Sequence, residues 1–92
     1  MREKPVAVIT GAANGIGRAT ALELGRAGYR LALCDVDATG LEQATAAAGA
    51  ELTRIVDVSR ADHLAQLAEA CRERYERVDV LVNNAGVLRL GG

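Results

Sequence analysis

The stretch Thr10-Gly11-Ala12-Ala13-Asn14-Gly15-Ile16-Gly17 limits the folds open to this chain more than any other. An apolar run, Val6-Ala7-Val8-Ile9, leads into it, and a helical pattern leads out. A strand that turns through glycines straight into a helix makes a cradle for phosphate. Glycine has no side chain, so the backbone turns tightly and approaches an anion closely. The helix N-terminus adds free N–H groups and a partial positive charge. Three glycines alone are a weak signal. The flanking strand and helix, and three later landmarks, give this stretch its weight.

The 92 residues suffice for one small domain. Half of them are apolar, which marks a globular rather than a disordered chain. That half is mostly Ala, Val, Leu and Ile, with two Tyr and no Phe or Trp. Such a core suits packed parallel α/β layers and offers few stacking platforms for nucleic-acid bases. A formal net charge of −1, with both signs interspersed, argues against nucleic acid or an anionic membrane as partner. No apolar run approaches bilayer length and the first residues carry no signal-peptide pattern, so the expected location is cytoplasmic. Cys34 and Cys71 are too few for a metal site and read as small buried hydrophobes.

The patterning predicts a strand over Val6–Thr10 and a helix from Gly15 to about Ala27. That helix has Ile16, Ala19, Thr20, Leu24 and Ala27 on its apolar side and stops at Gly28. A second strand covers Arg30–Asp35. Thr39 with Glu42 resembles a capping box, which starts a second helix near Thr39. Its stripe is Leu41, Ala44, Thr45 and Ala48, and it ends at Gly49. A third strand runs from about Glu51 to Val56. Ser59 with Asp62 reads as another N-cap, opening a helix to about Glu76 lined by Leu64, Leu67, Ala68, Cys71 and Tyr75. A fourth strand spans Val78–Asn83, and Asn83-Asn84-Ala85-Gly86 turns after it.

The resulting βαβαβαβ order, with connections long enough for helices, predicts an α/β fold on a parallel sheet. Right-handed crossovers give the strand order 3-2-1-4 of a three-layer Rossmann-type fold, with its switch point between strands 1 and 4. Ligands of such sheets sit beyond the carboxyl ends of the strands at that point. The glycine turn, Asp35, Asp57 and the Asn-rich turn all lie at those ends. Asp35 comes 18 residues after Gly17, where a carboxylate accepts hydrogen bonds from both ribose hydroxyls of an adenosine. It repels the extra phosphate of NADP, and no basic residue stands beside it, so NAD is the expected cofactor. Asp57 has two readings, a contact to the amino edge of adenine with the Val58 N–H beside it, or a helix cap. Asn83 and Asn84 are either turn formers or part of the site, with small Ala85 and Gly86 letting the backbone approach a ligand. His63, the one histidine, is read as solvated and inert.

Together, Thr-Gly-x-x-x-Gly-Ile-Gly at Thr10–Gly17, Asp35, Asp57-Val58 and Asn83-Asn84-Ala85-Gly86 resemble the classical short-chain dehydrogenase/reductase family. The likeness runs from Val6 to Gly86. It implies that Gly11, Asn14, Gly15, Ile16 and Gly17 hold the pyrophosphate. It further implies that Asp35 holds the adenosine ribose, and Asp57 and Val58 the adenine. Asn83, Ala85 and Gly86 border the nicotinamide ribose. The implied activity is NAD-dependent hydride transfer between nicotinamide and an alcohol or ketone carbon.

The family's catalytic Ser, Tyr and Lys have no match here. The one lysine is Lys4, the one serine is Ser59, and the residues four past Tyr29 and Tyr75 are Leu33 and Asp79. The family places those residues after the fourth strand. The chain therefore reads as the cofactor-binding half of such an enzyme, inactive alone and incomplete at the strand-4 edge. That apolar edge is expected to leave it marginally stable or to pair with another chain. Two other classes are weighed against this reading. One is a non-catalytic nucleotide-binding or interaction module complete at this length. The other is half of an S-adenosylmethionine-dependent methyltransferase, against which the Thr-Gly start and the Asn-rich turn count.

Overall fold

The computed structural model describes residues 4–84. The elements are β1 (Val6–Thr10), α1 (Gly15–Arg26), β2 (Arg30–Asp35), α2 (Ala38–Ala48), β3 (Leu52–Ile55), α3 (Ala61–Arg74) and β4 (Val80–Asn83). All neighbouring strands pair in parallel, in the order β3-β2-β1-β4. The expected three-layer Rossmann-type α/β fold is present, with the expected strand order.

Side chains alternate across a strand, so each strand feeds two cores. Ala7, Ile9, Leu31 and Leu33 point to one face and pack with Ala21 of α1 and Leu41 and Ala44 of α2. Val6, Val8, Ala32 and Cys34 point to the other and pack with Leu67 and Cys71 of α3 and with Tyr75 just after it. β1 is buried throughout because it lies between β2 and β4 with a helical layer on each side. Cys34 and Cys71 are free and buried, as expected. Burial pushes the Cys34 thiol up to about 12, which keeps it uncharged and inert.

Local details depart from the sequence reading. The buried residues of α1 are Gly17 and Ala21, whereas Ile16 is 77% exposed and Ala19 and Ala27 also face water. Small residues are what let α1 lie close against β1, so the apolar Ile16 is left outside, at the mouth of the glycine turn. The N-cap of α2 is Asp37, which accepts the Gly40 N–H, and not Thr39. The residue before α3 is Arg60, with no side-chain cap. Ser59 instead donates its N–H and its hydroxyl to Asp57 Oδ1. β3 and β4, at the sheet edges, are each shorter than expected. At the start of β4, Asp79 accepts the buried Val6 N–H at 2.8 Å and returns its own N–H to the Val6 carbonyl.

Candidate functional site

β1 ends at Thr10, and Gly11 takes the left-handed region with φ 64°. Gly15, which opens α1, has φ 57°. Both angles are ones that side chains resist, so two of the three motif glycines are fixed by the shape of the turn. The third is fixed by packing. A Cβ on Gly17 would lie 2.8 Å from the Gly11 carbonyl carbon and overlap its oxygen. The turn therefore folds directly onto the first turn of α1, and Asn14, Gly15 and Ile16 stand exposed around it. The first N–H groups of a helix have no acceptor within it. At the start of α1 they belong to exposed Gly15 and Ile16 beside open glycine backbone, a chemistry suited to an anion.

Asp35, at the end of β2, turns toward this cradle. Its Oδ2 accepts the Ala13 N–H at 2.9 Å, and its Oδ1 accepts the Asp37 N–H at 3.0 Å. The Ala12 N–H reaches the Cys34 carbonyl at 3.1 Å, so two successive amides of the turn are tied to the end of β2. Asp37 adds a further link by accepting from the Asn14 amide at 3.1 Å. The Gly40 N–H and the Asn14 amide hold the Asp37 carboxyl below the usual carboxylate range.

β3 delivers Asp57 and Val58 to the same edge, and the Val56 N–H binds the Asp35 carbonyl at 3.1 Å. The Asp57 carboxylate accepts the Ser59 hydroxyl at 2.6 Å and the Ser59 N–H at 3.0 Å. These bonds, the hydroxyl first, hold its carboxyl below the usual range. Asp57 thus shapes the loop before α3 and does not cap the helix, against the cap reading, and it is left half-exposed at the sheet edge. Val58 is half-buried against the core under α3. His63 departs from expectation. It is half-buried, and its Nδ1 accepts the Asp57 N–H at 3.0 Å.

β4 brings Asn83 beside Thr10, its register partner. The Thr10 hydroxyl donates to Asn83 Oδ1 at 2.8 Å and accepts the Asn84 N–H at 3.1 Å. Thr10 is 96% buried (4% exposed) and joins the glycine turn to the Asn-rich turn, a role that its place in the motif did not by itself announce. The Asn84 side-chain nitrogen is buried without an acceptor among the described residues. Ala85 and Gly86 lie outside the described residues. Gly11, Asn14, Gly15, Ile16, Gly17, Asp35, Asp57, Val58 and Asn83 do gather along one edge of the sheet.

A parallel sheet with a glycine turn into a helix at its switch point defines a dinucleotide-binding type of α/β domain. Residues 5–92 match the family described as short chain dehydrogenase, and the chain belongs to that family. It is 42% identical over 88 residues to levodione reductase of Leifsonia aquatica, covering 89% of this chain and 33% of that protein. The structure of an actinorhodin polyketide ketoreductase with NADPH is 41% identical with a TM-score of 0.82, over 91% of this chain and 34% of the other. A metagenomic short-chain oxidoreductase in complex with NADP is 42% identical with a TM-score of 0.81, over 90% of this chain and 39% of the other. The chain thus spans little more than a third of the length of these relatives. No described helix is long and apolar enough to cross a membrane.

These relatives overturn the expectation that Asp35 makes NAD the preferred cofactor. Two structures more than 40% identical to this chain hold NADPH or NADP. The geometry supplies a physical reason. Both oxygens of Asp35 are engaged by backbone N–H groups within the fold, so an acid at this place has work other than reading a ribose.

Proposed function

We propose that this chain is the nucleotide-binding domain, over residues 1–92, of a nicotinamide-dinucleotide-dependent oxidoreductase that acts on an alcohol or ketone carbon. The observation that carries the reading is the convergence on one sheet edge of the α1 N-terminus, bare glycine backbone, Asp35, Asp57 and Asn83. When bound, the dinucleotide supplies the hydride chemistry. Gly11, Asn14, Gly15, Ile16 and Gly17 receive the pyrophosphate, and Asp57 with Val58 the adenine. Asn83, with Ala85 and Gly86, borders the nicotinamide ribose. Asp35 shapes the cradle beside the adenosine ribose. No residue of the chain is assigned a catalytic proton transfer, and the chain alone is expected to bind without turning over substrate. Two free, buried cysteines suit a cytoplasmic location.

Self-association through β4 belongs to the same reading. Among the described residues β4 pairs on one side, with β1, and Leu81 is 68% exposed. An apolar groove of about 470 Å³ runs beside it, lined by Val8, Val58, Leu64, Leu67 and Leu81 among others.

Chemical-shift mapping with NADP+ tests the assignment. Amides of Gly15, Ile16, Val58 and Asn83 are expected to move. A folded chain whose shifts move instead around Glu42, Thr45 and Thr53, a second concavity between α2 and β3, would refute it.

A further inference from the structure

The Asp57 N–H is held by a side chain that none of the roles above uses. His63, the third residue of α3, reaches back to the loop after β3, and its Nδ1 accepts that N–H at 3.0 Å. The other bonds of Asp57 are local. Its Oδ1 accepts from Ser59, and its carbonyl accepts the Arg60 N–H at 2.9 Å. Those contacts span two or three residues and move with the loop. The bond to His63 is the side-chain tie between Asp57 and a helix that is itself anchored in the core by Leu67 and Cys71.

An imidazole nitrogen that accepts a hydrogen bond carries no proton, so the bonded ring is neutral with its proton on Nε2. A protonated ring has a donor at both nitrogens. It would set N–H against N–H at Asp57, and the tie would open. The charged groups around the ring make that exchange two-sided. The carboxylates of Asp57, in the loop, and Asp62, on α3, both interact with His63. Arg60 opposes them, with its guanidinium 2.9 Å from Asp62 Oδ2. A protonated ring therefore has carboxylates to turn to as it leaves the N–H.

We propose that His63 is a positioning residue for the adenine end of the nucleotide site: neutral, it fixes the Asp57–Val58 backbone, and protonated, it releases it. The proposal rests on the assignment of Asp57 and Val58 to the adenine made above. It makes nucleotide affinity depend on pH through a residue that does not touch the nucleotide.

The test uses the 15N-labelled chain without nucleotide, followed across about pH 5 to 8, the range in which histidines exchange their proton. The Asp57 and Val58 amide signals are expected to move with the same midpoint as the His63 ring nitrogens. In His63→Asn they should hold still, because the side-chain amide oxygen sits near the place of Nδ1 and accepts without titrating. From pH 7.5 to 5.5 NADP+ affinity should then fall about fivefold more in the wild type than in His63→Asn, the size of one modest hydrogen bond, because proton uptake by the 2′-phosphate is common to both. Asp57 and Val58 amides that ignore the His63 titration overturn the proposal, and so does an equal acid loss of affinity in His63→Asn. Failure of the underlying adenine assignment looks different. NADP+ would then leave the Asp57 and Val58 amides unmoved at neutral pH, even while they follow His63 in the free chain.

Discussion

Removing the Asp35 carboxylate should weaken the fold even when no nucleotide is present. Oδ2 accepts the Ala13 N–H at 2.9 Å and Oδ1 the Asp37 N–H at 3.0 Å. Ala13 is wholly buried, so Asp35→Ala strands its N–H away from water. A buried donor without an acceptor costs about 1–3 kcal/mol. Asp37 is exposed, so water takes over its N–H and that bond adds little. In a domain of this size each kcal/mol moves Tm by about 4–8 °C, so a loss of ~2 kcal/mol is a fall of ~8–16 °C. The assay is thermal unfolding of the nucleotide-free chain, followed by circular dichroism. Asp35→Asn keeps one acceptor oxygen and should fall by less than Asp35→Ala. A Tm for Asp35→Ala within about 2 °C of wild type would refute the reasoning, because the carboxylate would then be doing its work on a ligand and not on the turn.

Gly17→Ala forces a methyl group against the Gly11 carbonyl, with neither backbone free to yield. The overlap should cost about 1–3 kcal/mol, offset in part by the better helix propensity of Ala, and should weaken NADP+ binding at least tenfold by displacing the turn. Calorimetric titration checks it, and unchanged affinity counts against the cradle. Acid should destabilise the chain through Asp37, Asp57, Asp62 and Asp79, whose carboxyls all lie below the usual range. The largest causes are the Gly40 N–H, the Ser59 hydroxyl, the Arg60 side chain and the Val6 N–H, in that order of residues. With folded values depressed, their stabilisation is complete above the unfolded Asp value of about 3.9 and is lost as pH falls through the folded values. Urea midpoints should therefore drop below about pH 4, and Asp79→Asn should flatten that drop. Leu81→Lys places a charge on the exposed side of β4 and should shift sedimentation toward the monomer. If wild type and variant sediment alike as monomers, the β4 edge is not an association surface.

The large features were legible because they are over-determined. The near-continuous apolar runs Val6–Thr10 and Arg30–Asp35 fit strands with a helical layer on each face, and the crossovers between them leave one handedness. Strand order and the gathering of motifs at one edge follow from that alone. The caps were not legible, because Thr39 with Glu42 and Ser59 with Asp62 are good local signals that lose to competing aspartates nearby. Asp37 wins the cap of α2 because it also bonds Asn14 across the site. Ser59 is drawn to Asp57. The apolar side of α1 was misjudged for a related reason. Ile16 lies outside the core beside the glycine turn, and helical periodicity does not separate an exposed apolar residue from a buried one. His63 was misjudged because a half-polar helix face says nothing about which backbone amide lies under it.

Three side chains along the candidate site share a property that bears on how it works: each accepts a backbone N–H from another part of the fold. Asp35 ties the end of β2 to the turn after β1. Thr10 ties that turn to the Asn-rich turn after β4. His63 ties the loop after β3 to α3. Parallel strands give their C-terminal loops no hairpin partners, so ladder hydrogen bonds alone leave those loops to open independently. The first two links join the turns after β1, β2 and β4, and the third fastens the loop after β3 to the helical layer. A long ligand that touches all four then meets a site whose ordering has been completed on folding, and less of its binding energy goes to arranging the loops. Local patterns are blind to these links, since the side chains reach partners 22, 6 and 74 residues away.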